Sequence, residues 1–365
     1  MIPLETVTEE VEKQVSPDFV RISAASGMAL RMQSGRFARD FEFGGINILL
    51  NYDNGCLSDC GYCGLARTRP GSYEEKSFIR VEWPLVETET LIDRMAEYSD
   101  KLTRLCISQV THGRAHKDTV EITKRIREKV KAPLSILVAP PTLNRERLQE
   151  FKDIGVDMIG VGLDAVSKEV FVQHRTDVPN GSLNWDNYWD IIMTSRELFG
   201  PWKVNVHTVV GLGETDKDMI DIFFHLYKNE IFPYLFSFNP EPDSRMGDWK
   251  KADIKRWRRI QLVKHLIEHH DLQESAVSFD EKGNLTSLAC EGPMLKGAVE
   301  SLDNGIPFMT DGCPGESGEV GCTRPYGSYR PSEPYRDYPF QPASDDIVQI
   351  RKELALDEIL KSETY

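Results

Sequence analysis

The sequence of residues 51–67 is Asn51-Tyr-Asp-Asn-Gly-Cys56-Leu-Ser-Asp-Cys60-Gly-Tyr62-Cys63-Gly-Leu-Ala-Arg67. It holds three cysteines in a C-x3-C-x2-C arrangement. An apolar run, residues 46–52, comes directly before the first cysteine and predicts a buried strand. The three thiols are therefore expected on a loop at the carboxyl end of that strand, close enough together to share one metal site.

The spacing of these cysteines narrows the choice of metal. Four-thiolate zinc sites and ferredoxin clusters need a fourth cysteine nearby, commonly in a second C-x2-C or a C-x2-C-x2-C run. No further cysteine lies within 40 residues on either side of the motif. A [4Fe–4S] cluster held by three thiolates keeps one iron open for a small molecule that binds through nitrogen and oxygen atoms. A zinc knuckle, or a disulfide pair with a spare thiol, is the structural alternative.

This motif resembles that of the radical S-adenosylmethionine (SAM) enzymes. Tyr62 stands at the aromatic position that usually precedes the third cysteine in that family. The continuation from Cys63 to Arg67 is similar to the branch that holds biotin synthase, methylornithine synthase and the hydrogenase-maturation enzymes. The resemblance implies that Cys56, Cys60 and Cys63 are the catalytic cysteines, which hold the [4Fe–4S] cluster that reductively cleaves SAM.

Strand and helix signals alternate along the chain. The apolar runs that predict strands cover residues 46–52, 105–110, 134–140, 158–164, 203–210 and 234–238. Six such strand-then-helix units predict an α/β fold with a parallel sheet, and the resemblance implies a partial (β/α)6 barrel of TIM type.

Segments on either side of the barrel complete the predicted domain organisation. We expect residues 1–44 to form an N-terminal helical cap, which includes a helical pattern from Val7 to Val15. Residues 45–271 are then the barrel. Residues 272–365 lack the alternation and are expected to form an irregular, cysteine-containing extension.

The composition is that of an ordinary globular protein. Of the 365 residues, 40% are hydrophobic and 28% are charged, and no apolar run approaches the ~20 residues of a membrane span. The N-terminal sequence has no charged segment followed by an apolar stretch, so we expect no secretory signal and a cytoplasmic location. The odd count of seven cysteines favours metal binding over a disulfide framework. A net charge of −14 argues against nucleic acid as a partner.

Polar residues at the carboxyl ends of the strands are candidates for SAM contacts, because ligands of parallel sheets bind there. Asp164 ends the fourth predicted strand, and Arg175 follows in the next helix. By resemblance to the branch, Asp164 binds the SAM ribose and Arg175 binds its methionyl carboxylate. A helix N-cap and a surface cation are the alternative roles.

Two further features concern the SAM site. The Gly-Gly-Glu run that contacts the SAM amine in many family members is absent from the loop at residues 108–113. The turn after the fifth strand, Gly211-Leu-Gly213-Glu214, looks like the adenine-contacting turn of radical SAM barrels. Its glycines allow the backbone to approach a ligand closely.

A second group of cysteines, Cys290, Cys313 and Cys322, follows the barrel in a segment rich in glycine and proline. Such a segment cannot rely on a core of its own, so a metal that fastens it makes physical sense. We predict that these cysteines hold an auxiliary [4Fe–4S] cluster. Its fourth ligand is then the substrate or a non-cysteine side chain, for which Glu291, Glu316 and the nearby serines are candidates. A closed zinc site or unpaired surface thiols are the alternatives.

One more cysteine lies inside the barrel sequence. Cys106 is flanked by Leu105 and Ile107 in the second predicted strand. Cysteine is among the most buried residue types, so we interpret Cys106 as a structural thiol and not as a ligand.

The tail resembles that of lipoyl synthases, which pair a radical SAM cluster with an auxiliary cluster that is consumed as the sulfur source. They end in an Arg-Ser-Ser-Tyr run whose serine ligates the auxiliary cluster. This chain reads Tyr326-Gly-Ser-Tyr-Arg330, which makes Ser328 the matching ligand unless the serine aligns with Gly327. The C-x4-C-x5-C run of single-chain lipoyl synthases is absent. The chain therefore resembles one subunit of the two-protein lipoyl synthase of archaea and some anaerobic bacteria.

This resemblance implies sulfur insertion. A 5′-deoxyadenosyl radical would abstract hydrogen from C6 or C8 of an octanoyl-lysine, and the auxiliary cluster would donate sulfur. The expected partners are a lipoyl-domain or glycine-cleavage H-type carrier protein as substrate, and a second radical SAM subunit. One alternative is a hydrogenase-maturation or methylornithine-synthase type of enzyme that acts on a small molecule. Another is a non-catalytic iron–sulfur scaffold.

Overall fold

A computed structural model describes residues 13–177, 183–327 and 332–360 of the chain. The strands found there are β1 (Phe19–Ile22), β2 (Gly45–Leu50), β3 (Leu85–Glu87), β4 (Arg104–Ser108), β5 (Leu134–Val138), β6 (Met158–Asp164), β7 (Val204–Val210), β8 (Phe232–Ser237), β9 (Val277–Phe279) and β10 (Leu285–Leu288). The first eight form one sheet in the order β3-β1-β2-β4-β5-β6-β7-β8, and β9 and β10 form a separate hairpin.

The helices are α1 (Ala24–Ala29), α2 (Thr88–Glu97), α3 (Ala115–Lys129), α4 (Arg145–Asp153), α5 (Lys168–Phe171), α6 (Trp185–Phe199), α7 (Asp216–Lys228), α8 (Ile254–His269), α9 (Pro293–Asn304) and α10 (Ser344–Leu354). Several begin where a side chain accepts a hydrogen bond from the backbone of the first turn. Asn144, Asn184 and Asp253 do so at α4, α6 and α8. Thr215 and Asp218 form a reciprocal capping box at α7.

Strands β2, β4, β5, β6, β7 and β8 run parallel to one another in sequence order. They are the six strands that the apolar runs predict. Within the described residues, β8 pairs only with β7, so the sheet does not close on itself. The prediction of an α/β fold with a partial barrel is therefore confirmed. Helices cover the outer face, and strand residues such as Ile107, Ile136 and Val206 are completely buried.

The N-terminal extension is not simply a helical cap. Phe19–Ile22 forms the strand β1, which pairs antiparallel with both β2 and β3 and extends the sheet. Between residue 13 and β2, only the short α1 is helical, apart from a single turn at Ala38–Asp40. The predicted helix from Val7 to Val15 lies mostly outside the described residues, and residues 13–15 are not helical. The apolar side chains of Val20 and Ile22 explain the difference, because burial in the sheet favours an extended segment.

The C-terminal extension contains more regular structure than the sequence indicates. It contains the hairpin of β9 and β10 and two helices, α9 and α10, that the sequence analysis did not predict. Both pack against α8. Arg258 of α8 is completely buried and donates hydrogen bonds to the Glu353 carboxylate at 2.8 Å and to the Tyr335 carbonyl at 3.0 Å. The extension thus packs against the barrel through α8.

A loop of this extension, residues 312–322, crosses the amino end of the barrel. The Arg104 Nε at the start of β4 donates to the Pro314 carbonyl at 2.8 Å. Next to it, the Thr103 hydroxyl donates to the Gly321 carbonyl at 2.6 Å. Gly312 permits this crossing, because a Cβ there would meet the Cys322 carbonyl oxygen at 2.1 Å. The loop therefore closes the end of the barrel opposite to residues 51–67.

None of the described helices is both long enough and apolar enough to cross a membrane.

Candidate active site

One cavity of about 320 Å³ runs through the barrel interior. We call its end at the carboxyl termini of the strands the mouth, and its end beside residues 312–322 the floor. Three cysteines line the mouth, the mouth thiols Cys56, Cys60 and Cys63. Three others line the floor, the floor thiols Cys106, Cys313 and Cys322. The wall between them is mostly apolar and includes residues such as Leu49, Val110, Val138, Val209 and Phe236.

A buried carboxylate fixes the loop that carries the mouth thiols. The Asp59 carboxylate is almost completely buried and accepts hydrogen bonds from the Thr68 backbone at 3.0 Å, the Thr68 hydroxyl at 2.8 Å and Arg245 Nη1 at 2.7 Å. Although burial acts in the opposite direction, the bonds from Thr68 and Arg245 lower the pKa of Asp59. Gly61 ties the loop to the helical turn after α5, since its amide donates to the His174 carbonyl at 2.9 Å. The cysteine loop is thus held in place by the protein itself.

The mouth thiols lie close enough to affect one another. Burial raises the pKa of Cys63, and the neighbouring Cys60 and Cys56 raise it further. Among the described residues, no group of three His, Cys, Asp or Glu side chains is arranged to hold a single metal ion. A [4Fe–4S] cluster fits these thiols, because each of its thiolates binds a different iron. Three converging thiols on a loop fixed by Asp59 match that requirement.

A hydrogen-bonded network joins Tyr62, Asp164 and Arg175 at the mouth. The Tyr62 hydroxyl donates to Asp164 Oδ2 at 2.6 Å. Arg175 Nη1 donates to the carbonyls of Gly162 and Leu163 at 2.6 and 2.7 Å, and it lies 3.7 Å from the Asp164 carboxylate. Asp164 has a φ of 60°, so this strand end is held in a left-handed conformation.

This network gives Arg175 a supporting position beneath the strand end. Its side chain is only 6% exposed, and its Nη2 donates to the Tyr188 hydroxyl at 2.9 Å. Arg175 is therefore not a surface cation, and Asp164 does not cap a helix, because Ser167 caps α5. Direct contacts of Asp164 with ribose and of Arg175 with the methionyl carboxylate stay predictions.

The turn after β7 does not line the cavity, and glycines and one carboxylate give it its shape. Gly211 and Gly213 have φ values of 111° and 112°, which favour glycine. The Glu214 carboxylate accepts hydrogen bonds from the amides of Gly211 at 2.9 Å and Leu212 at 2.8 Å, and it pairs with Arg256 at 2.9 Å. Glu214 therefore shapes the turn from within. Contact of this turn with adenine stays a prediction.

The floor thiols are surrounded by polar side chains. Asn205 Nδ2 donates to Cys313 Sγ at 3.4 Å, and Cys322 Sγ donates to Asn47 Oδ1 at 3.7 Å. Burial raises the pKa of Cys106, and the nearby Cys313 and Cys322 raise it further. Mutual shifts of this kind require proximity, so the three thiols form one group.

Several buried polar atoms at the floor have no partner among the described residues. They include three donors, the Tyr234 hydroxyl and Arg324 Nε and Nη1, and one acceptor, Asn205 Oδ1. An unpaired buried polar group costs about 1 to 3 kcal/mol, so such atoms fit a site that binds a ligand. A cluster with sulfide acceptors would satisfy the donors. This donor-rich, thiol-lined floor therefore fits an iron–sulfur cluster.

The structure changes the predicted ligand set of the second cluster. Cys290 is buried near the hairpin and does not line the cavity, and its pKa is raised by burial alone. Cys106 lines the floor instead, so its side chain faces the barrel interior and not the core between strand and helices. The expectation that Cys106 is buried in the core is therefore wrong, whereas the ligands of a second cluster stay a prediction. Glu291 and Glu316 are exposed, and Ser328 lies outside the described residues.

Other polar residues at the floor were not identified from the sequence. They occupy alternate positions of strands that were read as apolar runs: Asn47, Ser135, Asn205, His207 and Tyr234. The signal that could have found them is the period of two. Polar residues that alternate with buried apolar ones in a strand covered by helices must face the barrel interior.

Comparison with known proteins agrees with this geometry. The model of the Radical SAM superfamily matches residues 50–226, a range that contains the mouth thiols, Asp164, Arg175 and the turn after β7. Biotin synthase of Brucella anthropi is 23% identical over 283 residues, which are 76% of this chain and 79% of that protein. Biotin synthase of Persephonella marina is 28% identical over 203 residues, 53% of each chain. Among solved structures, the match to the FeFe-hydrogenase maturase HydG of Carboxydothermus hydrogenoformans covers 91% of this chain and 70% of that one. The identity is 16% and the TM-score is 0.48.

Proposed function

Because the chain belongs to the radical SAM superfamily, in the branch of biotin synthase, we propose that it inserts sulfur into an unactivated carbon of a protein-bound octanoyl chain. The reaction would be a step of lipoyl cofactor synthesis, at C6 or C8, carried out with a second radical SAM subunit. The substrate would be an octanoyl-lysine on a lipoyl-domain or H-type carrier protein.

The observation that carries this proposal is that one cavity joins two groups of three thiols. When bound, a [4Fe–4S] cluster with SAM at the mouth supplies the 5′-deoxyadenosyl radical, and a second [4Fe–4S] cluster at the floor supplies sulfide. The mouth thiols would hold the first cluster and the floor thiols the second. A substrate carbon in the space between them would lie near both.

The cavity wall supports an acyl chain over an amino acid as substrate. Side chains such as Val110, Val209 and Phe236 give the wall an apolar surface that accepts methylene groups and excludes water. A zwitterionic substrate would need charged partners inside the cavity. The Glu241 carboxylate is already bonded to the Ser77 hydroxyl at 2.7 Å, and Arg104 to the Asp157 carboxylate at 2.7 Å.

Arg324 is the lining cation whose Nε and Nη1 have no hydrogen-bond partner among the described residues. Its charge acts on the floor thiol Cys322: burial raises the pKa of that thiol, and Arg324 opposes the rise. A nearby cation favours the thiolate, which is the form that binds iron. We therefore assign Arg324 to the second cluster and not to the substrate.

The proposal is tested with anaerobically reconstituted protein, SAM, a reductant and a carrier protein that bears octanoyl-lysine deuterated at C6 and C8. The assay is run with and without the second subunit. We expect deuterium in 5′-deoxyadenosine and a sulfur-containing acyl chain, both measured by mass spectrometry. A variant with Cys56, Cys60 and Cys63 replaced by alanine is the control and should form neither product.

Two results would contradict the proposal. Formation of 5′-deoxyadenosine without deuterium transfer from the octanoyl chain would indicate a different substrate, such as a small molecule. Absence of 5′-deoxyadenosine under every reducing condition would favour a non-catalytic iron–sulfur scaffold.

A further inference from the structure

The floor thiols provide three ligands, and a cubane cluster has four irons, so the fourth iron needs another partner. His207 lies in the middle of β7 and lines the same cavity. It stands two residues after Asn205, the residue that donates to Cys313 Sγ at 3.4 Å. Side chains two apart on a strand share a face, and two residues advance about 7 Å along it. His207 is therefore one layer closer to the mouth than the contact to Cys313.

The imidazole of His207 is oriented without using its nitrogens. Its ring centroid lies 4.7 Å from that of Phe236 and 6.1 Å from that of Tyr234, and these aromatic rings limit its rotation. Neither ring nitrogen has a hydrogen-bond partner among the described residues. Because His207 is half-buried and lines the cavity, both nitrogens are available to a ligand bound there.

Other side chains near the floor are poorer ligands. The Ser135 hydroxyl donates to the Leu105 carbonyl at 3.1 Å, and the guanidinium of Arg324 is a cation without an acceptor lone pair. An imidazole nitrogen is a common iron ligand, and histidine replaces cysteine in some iron–sulfur clusters.

We propose that His207 is the fourth protein ligand of the floor cluster, beside Cys106, Cys313 and Cys322. This inference rests on the proposed function, since it requires the second cluster. A neutral imidazole in place of a thiolate makes the cluster less negative, and histidine ligation raises the reduction potential of such clusters. The site thus differs from an all-cysteine electron-transfer cluster.

The test uses the full chain with Cys56, Cys60 and Cys63 replaced by alanine, so that only the floor cluster forms. Protein labelled with 15N in histidine is reconstituted with iron and sulfide, reduced, and examined by pulsed electron paramagnetic resonance. We expect about four irons per chain and a 15N coupling from a directly bound imidazole. The coupling should disappear in His207→Ala and persist in His112→Ala, whose imidazole lies outside the floor, stacked on Tyr52.

His207→Cys guards against a misfolded alanine variant. It should retain about four irons, as a four-thiolate cluster, and lose the nitrogen coupling. Four irons without any histidine coupling in the parent protein would overturn the ligand assignment while leaving the proposed function intact. A coupling that survives in both His207 variants would also overturn it. Absence of iron from the parent protein would remove the second cluster, and with it both proposals.

Discussion

For a single residue at the floor, the face of the strand on which its side chain lies determines what it contacts. Leu105 and Ile107 are completely buried between β4 and the helices, whereas Cys106 alternates with them and faces the cavity. The same alternation places Ser135 and Asn205 beside the thiols. A residue that looks structural in the linear sequence can thus line the cavity, because inward and outward positions differ by one residue.

The first prediction separates the two ligand sets for the second cluster. Cys106→Ala should lower the iron content of reconstituted protein from about eight to about four per chain, because it removes a floor thiol. Cys290→Ala is the matched control and should keep about eight, since Cys290 lies outside the cavity. Iron and acid-labile sulfide analyses measure both. The opposite pattern would restore Cys290 as a ligand.

The second prediction concerns Arg175. Arg175→Lys cannot reproduce the fork that bonds the carbonyls of Gly162 and Leu163 and the Tyr188 hydroxyl, so we expect a loss of about 2 to 3 kcal/mol of stability without SAM. Thermal unfolding measures this, and the exposed Arg67→Lys is the control. An unchanged unfolding midpoint with weakened SAM binding would instead indicate that Arg175 acts directly on the carboxylate.

At the scale of elements, the turn between β7 and α7 is stabilised from both sides. The Glu214 carboxylate holds the amides of Gly211 and Leu212, and the capping box of Thr215 and Asp218 starts the helix directly after it. Gly213 lies between these two fixed parts, and a Cβ added there would meet no atom within 4 Å. Such a turn can approach a ligand because neither its backbone nor a side chain blocks the way.

The third prediction tests this turn. Gly213→Ala should cost about 1 to 3 kcal/mol by backbone strain alone, because its φ is 112° and an added Cβ meets nothing within 4 Å. SAM affinity should fall as well if the turn faces the adenine. Gly113→Ala is the control, since a Cβ there also meets nothing within 4 Å and its φ is not in the left-handed region. Thermal unfolding and calorimetric SAM titration distinguish the two variants. Equal behaviour of both would contradict the prediction.

At the scale of the whole molecule, the C-terminal extension is joined to the barrel by buried charges. Lys264 of α8 contacts the Glu268 carboxylate at 2.6 Å and also pairs with Asp311. Asp337 is almost completely buried and accepts a long hydrogen bond from Gln261 at 3.4 Å. Because residues 312–322 follow Asp311 directly, these contacts also position the floor thiols. The extension is thus part of the barrel site, although it is distant in sequence.

The fourth prediction concerns the pH dependence of this junction. Burial raises the pKa of Asp337 from 3.8 to about 7. The folded protein therefore binds a proton that the unfolded chain releases in this interval, so stability falls as the pH rises from about 4 to 7. Asp337→Asn should remove this contribution and stabilise the protein at pH 8 by up to about 4 kcal/mol.

Thermal unfolding at pH 5 and pH 8 measures the effect, with the exposed Asp248→Asn as control. A smaller pH dependence should remain in Asp337→Asn, because burial also raises the pKa of Glu268 to about 7. An Asp337→Asn variant that is less stable than the parent at pH 8 would contradict the prediction, since the ionised carboxylate would then be favourable.

The six parallel strands and the mouth thiols can be predicted from the sequence alone. Both are local: strands appear as apolar runs, and Cys56, Cys60 and Cys63 fall within one loop that any fold must keep together. The floor site depends on tertiary structure, because Cys106 and Cys313 are far apart in the sequence and meet only where residues 312–322 cross the amino end of the barrel. Tertiary structure also separates Cys290 from Cys313 and Cys322, and it adds β1 to the sheet. Contacts between distant segments depend on how whole elements pack, which no local pattern of residues records.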